Sequence, residues 1–277
     1  MRARSPITLC GSLSLHPVSL GAAMHRAGYD AIGASFAYVP FAVTEADLPG
    51  ALAGMRALGI RGLGVSMPFK LSVIPLLDRL DPVARRIGAV NTIVNEDGLL
   101  VGHNTDAWGA AHALSEALEL AGKSVLVLGA GGAARAAVFA FCEAKMRVHL
   151  VNRTVQKARE LARAAEREGF TVTATGLGDL PAEAPDAIVN CTSATMDEYG
   201  AESLVPASLL SPRVVVMDIV YKPIQTRLLA LAEQAGARTV HGGRMLLHQA
   251  GRQFELYTGE PAPLEAMDAA LRQAIGR

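Results

Sequence analysis

The chain is short of the features that mark several whole classes of protein. Of its 277 residues three are cysteine, Cys10, Cys142 and Cys191. They lie far apart, without a C-x-x-C pair or metal-ligand spacing, which excludes a disulfide framework and a zinc module and fits a reduced, cytoplasmic compartment with no metal centre. An excess of one charge is missing too. The 26 Lys and Arg cancel the 26 Asp and Glu, so neither a nucleic-acid nor a membrane-surface partner is indicated. No stretch approaches the ~18 uninterrupted apolar residues of a membrane span. Behind Arg2 and Arg4 the chain is broken by Pro6, Gly11, His16 and Pro17, and so lacks the continuous apolar run of a signal peptide. Repeats of solenoid spacing and low-complexity segments are absent as well.

What remains is apolar and periodic. Hydrophobic residues make up 51% of the chain, and its length suits two domains better than one. Residues 7–9, 34–39 and 63–66 read as strands, and 20–27, 47–58 and 70–77 as helices. That alternation predicts a mostly parallel sheet. Asn95-Glu96-Asp97-Gly98 stands between two apolar triplets and predicts a hairpin turn. A helix over 106–121 leads to a second series, with strands at 124–128, 147–151, 187–191 and 214–219 and helices at 133–144 and 155–169. Its strands are nearly continuous apolar runs, as expected where helices cover both faces. Helices over 245–257 and 263–275 close the chain, free to pack back onto the first domain.

The second series opens on Gly129-Ala130-Gly131-Gly132-Ala133-Ala134, directly after an apolar strand and directly before a helix. In that context a glycine run is a dinucleotide turn: Gly129 permits the bend, Gly131 admits a pyrophosphate to the backbone, and the helix N-terminus supplies unpaired N–H groups. The next strand ends in Asn152-Arg153-Thr154, with Lys157 close behind. An NAD site places a carboxylate there for the ribose hydroxyl. Arg153 instead offers a cationic fork suited to a phosphate, so the expected cofactor is NADP.

In the first domain, Gly62-Leu63-Gly64-Val65-Ser66-Met67-Pro68-Phe69-Lys70, Ala89-Val90-Asn91-Thr92 and Gly102-His103-Asn104-Thr105-Asp106 place amide, hydroxyl, ammonium and carboxylate groups at the ends of short strands. With G-A-G-G-A-A-R-A, V-N-R-T-x-x-K-A, N-C-T-S-A-T-M, D-I-V-Y-K-P and G-x-M-L-x-x-Q-A-x-x-Q-F-E-L-Y-T-G, these motifs resemble, in order and over nearly the whole chain, the shikimate dehydrogenase family, and in particular its divergent shikimate dehydrogenase-like branch.

That resemblance implies an α/β fold: an N-terminal α/β substrate domain, residues 1–104 completed by 245–277, and a Rossmann-type doubly wound parallel sheet domain, residues 105–244. It implies NADP-linked interconversion of shikimate and 3-dehydroshikimate in aromatic amino acid biosynthesis, by a monomer or homodimer with a small-molecule substrate. Lys70 and Asp106 are then the proton-transfer pair, since hydride movement at a carbinol carbon requires the hydroxyl proton to move with it. Ser19, Ser66, Asn91, Thr105, Tyr221 and Gln249 would bind substrate, and Thr192, Ser193, Met196, Val220, Gly243 and Met245 would line the nicotinamide end.

Two departures bear on the substrate. The family's Ser-x-Ser pair, which holds the substrate carboxylate, aligns as Pro17 and Ser19 in one register and as Ser19 and Gly21 in another, while Ser12 and Ser14 form a displaced pair. The family's Asn-Val-Thr is Gly64-Val65-Ser66. Each polar group left unpaired costs ~1 to 3 kcal/mol, so weakened shikimate binding is expected. Quinate or another cyclic polyol acid is an alternative substrate, and a non-catalytic NADP-binding regulator an alternative role. A methylenetetrahydrofolate dehydrogenase is disfavoured by the N-R-T and Q-A-x-x-Q-F-E-L-Y-T-G segments.

Overall fold

A computed structural model describes residues 6–17, 19–194 and 204–276. The chain divides into two compact units, Met1–Thr105 with Gln249–Arg277, and Asp106–His248.

The described residues of the first unit form a six-stranded sheet from β1 (Thr8–Ser14), β2 (Phe36–Ala42), β3 (Gly62–Val65), β4 (Arg79–Leu80), β5 (Thr92–Glu96) and β6 (Leu99–His103). Their order is β2-β1-β3-β5-β6-β4, with β5 antiparallel to both its neighbours. The hairpin expected at Asn95 to Gly98 joins β5 to β6. Its two turn residues, Asp97 and Gly98, both have positive φ, at 53° and 94°, the geometry that matches the twist of paired strands. Asn95 Oδ1 accepts from the Gly98 amide at 2.7 Å.

Alternation along the strands sorts this sheet into two faces. Leu13, Leu63, Val65 and Ile93 face a core shared with Leu48, Leu52 and Met55 of α2 (Leu48–Ala57) and with Phe69 and Val73. Cys10 and Ser12 of β1 stand beside Gly62 and Gly64 of β3 on the other face, where α1 (Leu20–Ala31) packs on α9 (Leu264–Ile275) and α8 (Gly242–Thr258) follows β3. Helix α3 (Pro82–Ile87) is capped by Asp81, which accepts from the Ala84 amide at 2.6 Å.

The helix expected over 70–77 is not formed. The chain there makes turns and a single 3-10 turn, Ile74–Leu76. Pro75 lacks an N–H, and its ring would meet the carbonyl four residues back, which breaks a helix at that point.

The second unit carries β7 (Ser124–Leu128), β8 (Arg147–Val151), β9 (Val172–Thr175), β10 (Ala187–Asn190), β11 (Val215–Asp218) and β12 (Arg238–Val240). All pairings are parallel, in the order β12-β11-β10-β7-β8-β9. This is the doubly wound arrangement, with its switch point between β7 and β10. Helices α4 (Thr105–Ser115), α5 (Gly132–Glu143), α6 (Val155–Arg167) and α7 (Arg227–Gln234) complete the named elements. Strands β7 and β8 have the bounds their apolar runs predict. Among the described residues no helix is long and apolar enough to cross a membrane.

Candidate active site

The glycine turn lies at the switch point. Gly129 has φ +108°, and a Cβ there would come within 2.9 Å of Thr192 Cγ2 and 3.2 Å of the Cys191 carbonyl. The turn after β7 is thus in contact with the turn after β10, which only glycine allows. Its amide donates to the Val151 carbonyl at 2.8 Å, so the end of β8 is anchored beside it. A Cβ on Gly131 or Gly132 would meet nothing within 4 Å. That open ground in front of α5, whose N-cap Gly131 is extended, fits a pyrophosphate held by backbone N–H groups. Ala130 and Ala133 belong to the same turn.

At the end of β8, Asn152 Nδ2 donates to the Thr154 carbonyl at 2.9 Å, and Arg153, Thr154 and Lys157 are exposed. The two cations leave that corner able to take a phosphate. The residues present fit a bound NADP: glycine turn and helix end for the pyrophosphate, Arg153 and Lys157 for the ribose phosphate.

A buried polar network, missed in the sequence, fixes the loops that follow β10 and β11. Asn190 Oδ1 accepts from the Thr192 amide at 3.0 Å and from its hydroxyl at 2.7 Å, and Asn190 Nδ2 donates to Asp218 Oδ1 at 3.0 Å. Asp218 also accepts from the Val220 amide at 3.0 Å and from the Thr226 hydroxyl at 2.8 Å. The Thr192 and Val220 backbones are thereby set by side chains that carry no water-exposed surface. A Cβ on Gly242 would overlap the Ile219 carbonyl oxygen, so the chain ahead of Gly243 and Met245 runs against the same loop. Ser193 is exposed, Val220 and Met245 are buried, and Tyr221 is half-buried. Met196 lies outside the described residues.

In the first unit, Asn91 and Thr105 form a reciprocal buried pair. Asn91 Oδ1 accepts from the Thr105 amide at 2.7 Å, and its Nδ2 donates to Thr105 Oγ1 at 3.0 Å. Thr92 Oγ1 donates to Asn91 Oδ1 at 2.9 Å and accepts from Gln253 Nε2 at the same distance. Gln253, absent from the sequence expectations, therefore orients Asn91 from α8. Lys70 is half-buried, and its carbonyl accepts from the Val90 amide at 2.9 Å. Asp106, next in the chain to Thr105, is buried at 2% exposure in the first turn of α4, where a carboxylate is favoured by the helix dipole. Ser66 is exposed, and Gln249 is half-buried one turn before Gln253. Ser19 is exposed at the N-cap of α1 without a side-chain capping bond.

An aromatic cluster underlies this region. His25, fully buried, stacks on Tyr38 with ring centroids 4.4 Å apart, and also neighbours Tyr29, Phe254 and Tyr257. Burial lowers the His25 pKa to about 4, partly opposed by Gln253. Burial likewise lifts Cys10 to about 11 and holds the Tyr38 phenol well above its ordinary value. Both signs of charge are disfavoured here.

A doubly wound sheet with a glycine turn at its switch point and cations at the end of the adjoining strand defines a nicotinamide-dinucleotide oxidoreductase. Comparison with known proteins narrows the class. Residues 16–93 match the shikimate dehydrogenase substrate binding domain, 111–229 the shikimate / quinate 5-dehydrogenase family, and 242–272 the shikimate 5'-dehydrogenase C-terminal domain. The chain is 45% identical to the shikimate dehydrogenase (NADP(+)) of Moorella thermoacetica over 270 residues, 94% of this chain and 92% of that protein. Among solved structures it is similar to the shikimate 5-dehydrogenase of Thermus thermophilus in complex with NADP(H) and shikimate, at a TM-score of 0.86 and 35% identity, covering 97% of this chain and 100% of that one. It is equally similar to the 5-ketofructose reductase of a Gluconobacter species, at a TM-score of 0.88 and 31% identity, covering 97% and 99%. The chain belongs to the shikimate dehydrogenase family, and is an NADP-dependent oxidoreductase that acts on CH–OH groups.

Proposed function

We propose that the chain carries out reversible hydride transfer between NADP(H) and the shikimate/3-dehydroshikimate pair, with weakened hold on the shikimate carboxylate, in the cytosol. The observation that carries this reading is the register of α8 along β3. A Cβ on Gly62 would overlap the Tyr257 ring, and one on Gly64 would lie 3.3 Å from Gln253 Nε2. Four helix residues advance ~6 Å and two strand residues ~6.7 Å. One further step of that register would bring Gln249 toward the level of Ser66, past the Gln253–Thr92–Asn91 chain that holds Thr105. Amide and hydroxyl groups from three segments thus converge on the strand ends, a donor and acceptor set suited to a polyhydroxylated ring.

Bound NADP supplies the hydride acceptor or donor. The chain's own residues do the rest. Lys70 and Asp106 hold the reacting hydroxyl and move its proton, Asn91, Thr105 and Gln249 bind the remaining hydroxyls, and Ser19, Ser66 and Tyr221 border the acid end. Units Met1–Thr105 with Gln249–Arg277 and Asp106–His248 serve substrate and cofactor respectively. Retention of Lys70 and Asp106 favours an enzyme over a non-catalytic binder of NADP. Quinate is the second substrate reading, favoured by the family match over 111–229.

Steady-state oxidation by the wild-type protein tests this. NADPH formation with shikimate, at a KM raised by the incomplete acid end, is the expected result. Failure to form NADPH from shikimate, quinate or any related polyol would contradict the reading.

A further inference from the structure

Asp218 is an acid without a counter-charge. It ends β11, level with Asn190 at the end of β10, and none of its surface is exposed. Asn190 Nδ2 and the Val220 amide donate to its Oδ1, and the Thr226 hydroxyl donates to its Oδ2. Thr226 Oγ1 meanwhile accepts from the Leu229 amide at 3.3 Å, which leaves the hydroxyl proton for the acid. Every partner is thus a donor, so the group is a carboxylate rather than a carboxylic acid. Every partner is also uncharged. Among the described residues Asp218 makes no ion pair, and the cations nearest in the chain, Arg213 and Lys222, are exposed. A buried charge is ordinarily paired, and here the protein supplies the hydrogen bonds without the cation. An amide at position 218 could accept from Asn190 and Val220 with no charge to bury, so positioning alone does not explain the acid.

We propose that the missing counter-charge is the nicotinamide ring of oxidised NADP, and that Asp218 is a positioning residue whose charge, acting without contact, makes the protein hold NADP+ more tightly than NADPH. This deepens the dehydrogenase reading above and rests on its placing of the nicotinamide end at the loops after β10 and β11. Those are the loops that Asp218 fixes, through Thr192 and Val220. Its field also reaches the switch point: the Cys191 thiol, one residue past β10, is held above its ordinary value by burial first and by the Asp218 charge second, and the Cys191 carbonyl is what a Cβ on Gly129 would crowd at 3.2 Å. The nicotinamide ring is positive when oxidised and neutral once it has accepted a hydride, whereas the phosphates are charged alike in both forms. A fixed carboxylate near the ring therefore acts on the difference between them. Within the bound complex it draws the equilibrium toward NADP+, and so toward reduction of the ketone.

The test measures Kd for NADP+ and for NADPH separately, by calorimetric titration of wild type, Asp218→Asn and Thr226→Val. Asp218→Asn keeps an acceptor for Asn190 and Val220 and turns its amide nitrogen toward a hydroxyl that can accept, so it removes the charge alone. Thr226→Val keeps the charge and breaks the network around it. In Asp218→Asn the Kd for NADP+ should rise about tenfold, the order of one charge–charge interaction across protein, while that for NADPH stays within about twofold. The midpoint potential of the bound couple then moves up by about 30 mV. In Thr226→Val the ratio of the two constants should stay within about twofold of wild type even where both affinities fall. A ratio unmoved by Asp218→Asn, or moved equally by the two variants, would overturn the proposal while leaving the dehydrogenase reading intact. Wild-type protein that binds neither form of the cofactor would defeat both.

Discussion

On the function proposed above, the two units solve recognition by opposite means. In Asp106–His248 the cofactor turn is almost all backbone: Gly129 is admitted between two loops, Gly131 and Gly132 leave open ground, and a helix end supplies the donors. In the other unit the site is built of side chains that orient one another, Gln253 to Thr92, Thr92 to Asn91, Asn91 to Thr105. A backbone site depends on where a Cβ is forbidden. A side-chain site depends on keeping every partner, since a buried polar group left unpaired costs ~1–3 kcal/mol.

The contrast can be broken at its strongest point by Gly129→Val. Its side chain would sit at φ +108° and within 2.9 Å of Thr192. NADP affinity should fall about 1000-fold by equilibrium titration, as strain and displacement of the switch-point loops combine. Unchanged affinity would show that the turn does not carry the cofactor.

His25 sharpens the other side. Its folded pKa of about 4 lies below the ordinary 6.5, so the folded protein prefers the neutral ring. The resulting stability is complete above pH 6.5 and is lost as pH falls from there to about 4, about 3 kcal/mol in all. Denaturant unfolding across that range should show the loss, and His25→Phe, which keeps a stacked ring that cannot titrate, should flatten it.

The smallest effect is expected from Gln253→Leu. Removing the donor to Thr92 Oγ1 should lower kcat/KM about tenfold while NADP affinity stays unchanged. An equal loss in both would mean that Gln253 serves general stability rather than the orientation of Asn91.

The same contrast governs how much the sequence discloses. Strands β7 and β8 and the turn between β7 and α5 are legible because apolar runs and glycines act locally, over a handful of neighbours. The exposed place of Arg153 just after β8 is legible for the same reason. Strand β1 runs further than its apolar start suggests because Gly11, Ser12 and Ser14 interrupt the hydrophobic pattern, yet their backbones pair with β2. Helix α3 escapes notice because six residues carry no readable period, although Asp81 and Gly88 mark its ends. Over 70–77 an apolar pattern suggests a helix that Pro75 prevents. Gln253, Tyr38 and the Asn190–Asp218 pair are invisible for a deeper reason: their partners lie 28 to 162 residues away or on a neighbouring strand. The family motifs contain Gln253, Asn190 and Asp218, but not Tyr38, and only the fold shows what each one holds.

The central claim is that cofactor binding and chemistry rest on separate residues, one set backbone and the other side chain. Lys70→Ala, measured for both NADP affinity by calorimetric titration and turnover of shikimate, tests it most directly. The account predicts affinity within about twofold of wild type and turnover reduced about 1000-fold. Turnover near the wild-type rate, or loss of NADP binding in step with activity, would contradict it.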